Sequence, residues 1–270
     1  MNKFSLKRTT NGVWYGTFDH FDRLGVKHGI STRLGGFSKP PYASLNLGLK
    51  TGDEAEIVRL NRRLFCEAVG VDIARLVTAQ QVHGERIHPV TGEDAGKGAE
   101  NHAAAIADTD ALISDVPGLS LMLFFADCVP VLIFDPVRRA IGVSHAGWKG
   151  TVSKIAQKTV LEMRGHYGCR PEDCLVAIGP SIGPCCYEVD ETVINALQQN
   201  FPNWEELVLP RNERWLFDLW QANRVQLEDI GVRPGNIELA GVCTATNTSL
   251  FYSHRAEKGQ TGRLGALIGL

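Results

Sequence analysis

Apolar residues recur along the chain with two spacings, one typical of helices and the other typical of strands. Spacings of three and four positions predict four amphipathic helices, over residues 53–69, 151–164, 190–200 and 218–230. Thr151 and Asp190 are residue types that cap the start of a helix. Gly70 and Gly165 follow the first two segments and are expected to end them.

Between the helices lie apolar segments rich in β-branched residues, which predict strands over residues 119–125, 130–134, 140–144, 175–178, 237–242 and 266–270. Because strands and helices are interleaved, we predict a fold of mixed α and β class. The polar stretch 91–102 is predicted to be an exposed loop. No repeat of fixed period is found, which excludes a solenoid. The apolar strands on both sides of the loop look like parts of one sheet system, so residues 1–270 are expected to form a single domain.

Charge and hydrophobicity restrict the classes of partner that the protein is expected to bind. The formal net charge of the 270 residues is −2, which disfavours nucleic acid or an anionic membrane as a partner and favours a small molecule. The longest apolar run, residues 119–134, is interrupted by Asp127 and Pro130 and is shorter than the ~20 residues that a membrane-spanning helix needs. No heptad pattern or large apolar stripe favours assembly, so a monomer is expected.

Cysteine usage indicates the compartment. The chain has seven cysteines, an odd number, and its start shows no signal-peptide pattern. We therefore expect a cytoplasmic protein whose thiols are free, metal-bound or catalytic. Cys169 and Cys174 are expected on a surface turn, and Cys185 and Cys186 in the wall of a pocket.

Three short strings each place a reactive side chain where an apolar segment gives way to a turn. They are TAQQVHGE with His83, FFADCVP with Cys128, and GVSHAGWKG with His145. Two imidazoles and one thiolate supply three ligands, which is the protein ligand count of a catalytic zinc with one open position. The alternative is that each histidine only hydrogen-bonds at the end of its strand and that Cys128 is a small buried residue.

The segment after His145 is a candidate anion site. Gly147 and Gly150 flank Trp148 and Lys149 just before a predicted helix, so backbone N–H groups and Lys149 could hold phosphate or a carboxylate. A tight turn with a packed tryptophan is the alternative explanation. Single arginines elsewhere, Arg33, Arg255 and Arg263, are further candidate anion ligands.

The same residues suggest two other kinds of metal chemistry. His83 and Glu85 match the H-x-E half of the zinc nucleobase deaminase signature, but the P-C-x-x-C half is missing. Two histidines and a cysteine can also bind copper. The chain contains no His-x-His pair, so the trinuclear cluster of a multicopper laccase is disfavoured and zinc is the expected metal.

Six strings occur together and in a fixed order: SLNLG at 44–48, QVHG at 81–84, ADCVP at 126–130, HAGWKG at 145–150, IGPSIGPCCYEV at 178–189, and FYSHR with TGR near the end. Together they make the chain resemble the purine nucleoside phosphorylase family of laccase-domain proteins, which includes polyphenol oxidases and peptidoglycan editing factors. The resemblance runs from about residue 29 to residue 270. It aligns His83, Cys128 and His145 with the family's zinc ligands, which are also the expected catalytic residues.

The resemblance further implies a single-domain α+β fold of mixed β-sheets with outer helices. This fold is similar to the cysteine hydrolase fold of bacterial cytotoxic-factor deamidases. It implies phosphorolysis of adenosine, inosine and methylthioadenosine, with adenosine deamination as a side activity. Arg33, Asn46, Lys149 and Arg255 are the residues then expected to contact substrate or phosphate. Lys149 stands where the family often has arginine, which keeps the charge but loses the two-pronged contact with phosphate.

Two other functions use the same residues. In the first, the protein is a cysteine-dependent amidase that edits peptidoglycan precursors, with Cys128 as nucleophile and His83 or His145 as its base. In the second, it is not an enzyme, and zinc ties strands together through a fourth protein ligand such as Cys185 or Asp127.

Overall fold

The computed structural model describes residues 4–270, which form fifteen strands and six α-helices joined by turns and short 3-10 helices. The strands are β1 (Phe4–Arg8), β2 (Trp14–Phe18), β3 (Lys27–Ser31), β4 (Leu76–Thr78), β5 (Ile87–Pro89), β6 (Ala111–Ser114), β7 (Ser120–Phe125), β8 (Val129–Asp135), β9 (Ala140–Ala146), β10 (Leu175–Ile178), β11 (Glu188–Val189), β12 (Val208–Arg211), β13 (Arg214–Phe217), β14 (Ile237–Leu239) and β15 (Leu264–Gly269). The helices are α1 (Asp19–Arg23), α2 (Ala55–Val69), α3 (Trp148–Val152), α4 (Ile155–Tyr167), α5 (Glu191–Asn200) and α6 (Leu219–Glu228).

Two six-stranded sheets form the centre of the fold. The first has the strand order β1-β2-β3-β15-β7-β4, and the second has the order β14-β10-β8-β9-β6-β5. Most neighbouring strands are antiparallel, but β4 runs parallel to β7, β5 to β6, and β10 to β14. A third, antiparallel sheet of three strands has the order β11-β13-β12. The sheets are therefore mixed, as predicted.

Successive side chains of the central strands enter different cores. In β7, Leu121 and Leu123 pack between the two large sheets, whereas Met122 packs under α2. In β8, Leu132 lies between the sheets and Val131 lies under the helices that cover the second sheet. Since a strand directs alternate residues to opposite faces, burial of both faces produces an unbroken apolar run. The run 119–134 is thus explained by a layered arrangement of helices outside two packed sheets.

Three of the predicted helices are confirmed. α2 ends at Gly70, which has φ +78°, and the carboxylates of Asp190 and Asp218 accept hydrogen bonds from backbone N–H groups at the starts of α5 and α6. The predicted helix over residues 151–164 is wrong in its start and its end. The backbone at Lys154 is left-handed, with φ +60°, which separates α3 from α4. α4 runs on through Gly165 and ends at Gly168.

The predicted strands correspond to β7, β8, β9, β10, β14 and β15, with the ends shifted by a few residues. No helix in the described part of the chain is both long and apolar enough to cross a membrane. The expectation that Cys169 and Cys174 lie on a surface turn is wrong, because both thiols are buried in the core between α4 and the second sheet. Cys169 directly follows the end of α4 and Cys174 directly precedes β10, so both contribute to the packing of those elements.

Candidate metal centre and cavity

The fold brings together the three predicted ligands, which are far apart in sequence. His83 lies in the loop after β4, Cys128 in the turn between β7 and β8, and His145 in β9. One ligand atom from each of the three lies within 4.8 Å of the others. The two imidazole rings meet edge to face, with centroids 4.8 Å apart. A single metal ion could therefore contact all three side chains.

Left-handed backbone at two positions aims these side chains. His83 has φ +59° and Asp127, just before Cys128, has φ +80°. Such a conformation costs roughly 1–3 kcal/mol at a residue other than glycine and persists only where the surroundings hold it. The Asp127 carboxylate accepts hydrogen bonds from the Thr244 hydroxyl and the Arg255 backbone N–H, both at 2.6 Å. The turn that presents Cys128 is thereby fixed.

Asp110 is the important residue that the sequence did not reveal. It is fully buried, just before β6, and its Oδ1 accepts a hydrogen bond from His145 Nδ1 at 2.8 Å. The same carboxylate accepts backbone N–H bonds from Val82, His83 and Gly84 at 2.8 to 3.1 Å. One side chain thus orients the His145 ring, so that Nε2 is the free ligand atom, and also holds the loop that carries His83. The only sequence signal was a carboxylate next to an apolar strand.

The metal-free centre is an ion pair. Burial alone would raise the pKa of the Cys128 thiol, but the charge of His145 and hydrogen bonds from His145 and His83 lower it to about 6. Burial alone would lower the pKa of His145, but the Cys128 thiolate and the Asp110 hydrogen bond raise it to about 9. At neutral pH, Cys128 is therefore a thiolate beside a protonated His145.

Gly147 leaves the space that an ion needs. A Cβ atom built at this residue would lie 3.0 Å from Cys128 Sγ and 3.3 Å from His83 Cδ2. Its φ of −67° is accessible to any residue, so the backbone conformation does not require glycine. The close approach to the two ligands is therefore what the glycine serves.

The centre opens into a cavity of about 760 Å³. The three candidate ligands, Trp148 and Tyr187 are in its wall. The wall also carries four cationic side chains that form no ion pair with any carboxylate in residues 4–270: Lys50, Arg62, Arg255 and Arg263. Cations without counter-ions in a concave site attract an anion.

Arg62 and Arg263 are the most firmly held of these cations. Arg62 is 1% exposed, donates to the backbone carbonyls of residues 47, 98 and 99, and stacks on Phe124 with its guanidinium carbon 4.2 Å from the ring centroid. Burial lowers the pKa of Arg263, and the nearby charges of Cys128 and Asp127 oppose this shift. Arg263 therefore lies beside the candidate metal centre.

Of the four predicted contacts to substrate or phosphate, the structure brings only Arg255 to the cavity wall. The Arg33 guanidinium is held by Glu257, by two backbone carbonyls and by the ring of Tyr252, and it stabilises the loop packing there. Lys149 is exposed and leans towards the ring of Trp148, outside the wall.

Asn46 is fully buried: its side-chain NH₂ donates to Asp53 in its own loop, and its Oδ1 accepts the backbone N–H of the distant Arg263 at 2.9 Å. It helps to position Arg263, a residue that sequence reasoning considered but did not select. Glu85, the glutamate of the H-x-E match, is exposed and paired with Lys158 away from the cavity.

The donor set fits zinc with one open position. Two imidazoles and a thiolate are ligands that zinc prefers, and Asp110 supplies the carboxylate support that a metal-binding histidine usually has. Neither suggested fourth ligand belongs to this group: both carboxylate oxygens of Asp127 are hydrogen-bonded, and Cys185 lies in a separate group with Cys186 and Cys243. His83, Cys128 and His145 themselves line the cavity, so an ion that they held would be reached from it.

The sequence and the structure were both found to be similar to known proteins, and these similarities agree with one another. Residues 27–270 match the family model described as multi-copper polyphenol oxidoreductase laccase. Purine nucleoside phosphorylase YlmD of Geobacillus stearothermophilus is 42% identical over 249 residues, which cover 91% of this chain and 90% of the relative. Purine nucleoside phosphorylase YlmD of Bacillus subtilis is 38% identical over 244 residues, which cover 90% of this chain and 87% of the relative. The crystal structure of the G. stearothermophilus protein superposes with a TM-score of 0.92 over 98% of both chains, at 38% identity.

Proposed function

The chain belongs to the multi-copper polyphenol oxidoreductase laccase family, and the relatives named above are purine nucleoside phosphorylases. We therefore propose that it is a zinc-dependent purine nucleoside phosphorylase. The observation that carries the proposal is an open three-ligand centre in the wall of a cavity that also holds unpaired cations. A metal site with a purely structural role would need neither the cavity nor the cations.

His83, Cys128 and His145 would hold the metal. Zinc held by these residues would supply a Lewis acid and would make water more acidic, which would suit the proposed adenosine deaminase side activity. Asp110 keeps the Nδ1–H of His145 and the loop of His83 in place, and Gly147 keeps the space between the ligands clear.

Phosphate would lie among the cations beside the centre. Phosphorolysis breaks the bond between the purine nitrogen and C1′ of the ribose, forms a bond from C1′ to a phosphate oxygen, and leaves a proton on the purine. Arg255 and Arg263 can bind and orient the phosphate dianion, because neither is neutralised by a carboxylate. Lys149 and Arg33 are replaced in this role by Arg263.

The cavity also suits the proposed nucleosides, adenosine, inosine and methylthioadenosine. Its volume of about 760 Å³ is within the range of small-molecule sites, roughly 300–1,000 Å³. Trp148 and Tyr187 offer flat apolar faces on which a purine can stack. We propose a monomeric enzyme of the reducing cytoplasm, which suits seven free thiols.

The test is incubation of the zinc-loaded protein with inosine, with and without phosphate. Phosphate-dependent release of hypoxanthine with an equal amount of ribose 1-phosphate is expected. Equal release without phosphate would mean hydrolysis and would refute the proposal. His83→Gln should abolish the activity, whereas His166→Gln, a matched change at an exposed histidine on α4, should leave it unchanged.

One observation favours a second candidate function, the cysteine-dependent amidase. Cys128, His145 and Asp110 form a chain of thiolate, imidazolium and carboxylate, which is the arrangement of a cysteine hydrolase. Such a chain would also suit the predicted likeness to cysteine hydrolases. In this case a chelator should leave activity intact and an alkylating agent should abolish it, whereas for the phosphorylase bound zinc should protect Cys128 from alkylation.

A further inference from the structure

Three other thiols form a compact group outside the cavity wall. The sulfur atoms of Cys185, Cys186 and Cys243 all lie within 4.8 Å of one another, and those of Cys185 and Cys186 are 3.5 Å apart. None of the three contributes to the wall of the cavity described above. The group is therefore separate from the centre at Cys128.

Two distant segments of the fold build this group. Ser181 forms a parallel β-bridge with Cys243, which brings the segment after β10 beside the segment after β14. The Gly183 carbonyl then accepts backbone N–H bonds from Cys186 and Tyr187, both at 3.0 Å, so the chain folds back on itself. The Gly183 N–H donates to Cys243 Sγ at 3.2 Å.

Close packing restricts the turn. A Cβ atom at Gly183 would lie 2.7 Å from the ring of Trp220, so this position requires glycine. The Trp220 indole N–H donates to the Ser181 hydroxyl at 2.6 Å. The backbone that carries the thiols is thus held from both sides, as expected of a site that is formed before its ligand arrives.

The sulfur spacing fits one metal ion. Zinc–sulfur bonds are about 2.3 Å, so two thiolates at tetrahedral angles lie about 3.8 Å apart. Sulfurs at 3.5 Å and at no more than 4.8 Å reach that spacing by small side-chain movements. Cys185 is exposed and Cys186 half-buried, which gives an ion a path from solvent to the buried Cys243.

We propose that Cys185, Cys186 and Cys243 form a second metal site, which takes a soft, thiolate-preferring cation such as Zn²⁺ or Cu⁺. Ile182 and Tyr187, which flank the turn, are both in the cavity wall. An ion bound by the three sulfurs would join the turn to Cys243 and hold this part of the wall in place.

The first test is metal uptake by the full chain, reduced and free of oxygen. Wild type should take up about two equivalents of Zn²⁺, and Cys185→Ser and His83→Gln should each lose one of them. Cys66→Ala, which removes a buried thiol on α2 itself, is the control and should keep both. Uptake of about one equivalent by wild type, unchanged by Cys185→Ser, would overturn the proposal.

A second measurement isolates the group. In the His83→Gln background, Zn²⁺ at about 100 times its Kd should raise Tm by roughly 5 °C, and adding Cys185→Ser should remove the rise. Co²⁺ bound in that background should show sulfur-to-cobalt charge-transfer absorption several times stronger than Co²⁺ bound to the Cys185→Ser protein. A disulfide among the three thiols, with no metal uptake after its reduction, would equally overturn the proposal.

Discussion

Asp110→Asn tests how the centre is held together. The substitution keeps the shape of the side chain but removes its charge and half of its capacity to accept hydrogen bonds. Asp110 accepts four hydrogen bonds in a fully buried position, one from His145 and three from the backbone around His83. An Asn oxygen can serve the donors on one side only, so its NH₂ group faces the N–H donors on the other side.

The magnitude follows from these contacts. Buried donors left without an acceptor cost about 1–3 kcal/mol, so the free energy of unfolding should fall by about that amount. Loss of the carboxylate behind a metal-binding histidine typically reduces metal affinity about 10–100-fold, or about 1.4–2.7 kcal/mol of binding free energy. We expect the zinc Kd of Asp110→Asn to rise by that factor, measured by competition with a chromophoric chelator.

Asp135→Asn is the matched control. Asp135 is also fully buried and its Oδ1 also accepts two backbone N–H bonds, from Val137 and Arg138, but it is remote from the three ligands. Because both bonds go to Oδ1, the oxygen of an Asn can keep them, and Asp135→Asn should leave the zinc Kd unchanged. If Asp110→Asn stays folded and its zinc Kd lies within about twofold of wild type, our account of the centre is wrong.

Three further predictions follow from the same site. Gly147→Ala should weaken zinc binding by about tenfold or more with little change in Tm, because the added methyl group meets Cys128 and His83. In the control, Gly165→Ala on α4, the added methyl group meets no neighbour, so this variant should bind zinc normally and be slightly more stable. In the metal-free protein, alkylation of Cys128 should be fastest above its pKa of about 6 and should slow about tenfold per pH unit below it, since only the thiolate reacts; a midpoint near the ordinary value of 9 would contradict the ion pair. Arg263→Ala should raise the KM for phosphate by about tenfold or more in steady-state assays, whereas Lys149→Ala should change it by less than about twofold. A larger effect of Lys149→Ala than of Arg263→Ala would indicate that phosphate binds at the turn of Lys149.

Local signals predicted the parts of the fold that depend on near neighbours in the chain. Helix α2 followed from apolar spacing and Gly70, and β7 and β8 from a run of apolar residues. The break at Lys154 did not, because a left-handed lysine between two helices is imposed by packing and leaves no mark in hydrophobic spacing. Cys169 and Cys174 flank a polar turn, so the local composition predicts an exposed position. Both thiols are buried because residues distant in sequence pack against them.

The candidate site divides in the same way. His83, Cys128 and His145 were recognisable because each is a reactive side chain at the end of an apolar segment. Asp110 was not, since its role depends on contacts with residues 26 to 35 positions away. Arg33 pairs with Glu257 and Asn46 accepts the backbone N–H of Arg263, both outside the cavity wall, so their contact with substrate stays a prediction.

The two candidate functions make opposite demands on His145. A zinc ligand must be neutral at Nε2, whereas the partner of a nucleophilic thiolate is protonated, and the Asp110 carboxylate accepts the Nδ1–H in both states. With a pKa of about 9, removal of the His145 proton at pH 7 costs about 3 kcal/mol. Structural zinc sites bind with apparent free energies of roughly 10–16 kcal/mol, so a three-ligand centre needs only a fraction of that energy to displace the proton. We therefore expect zinc, where it binds, to displace the proton of His145, which would leave Cys128 available as a nucleophile only in metal-free protein.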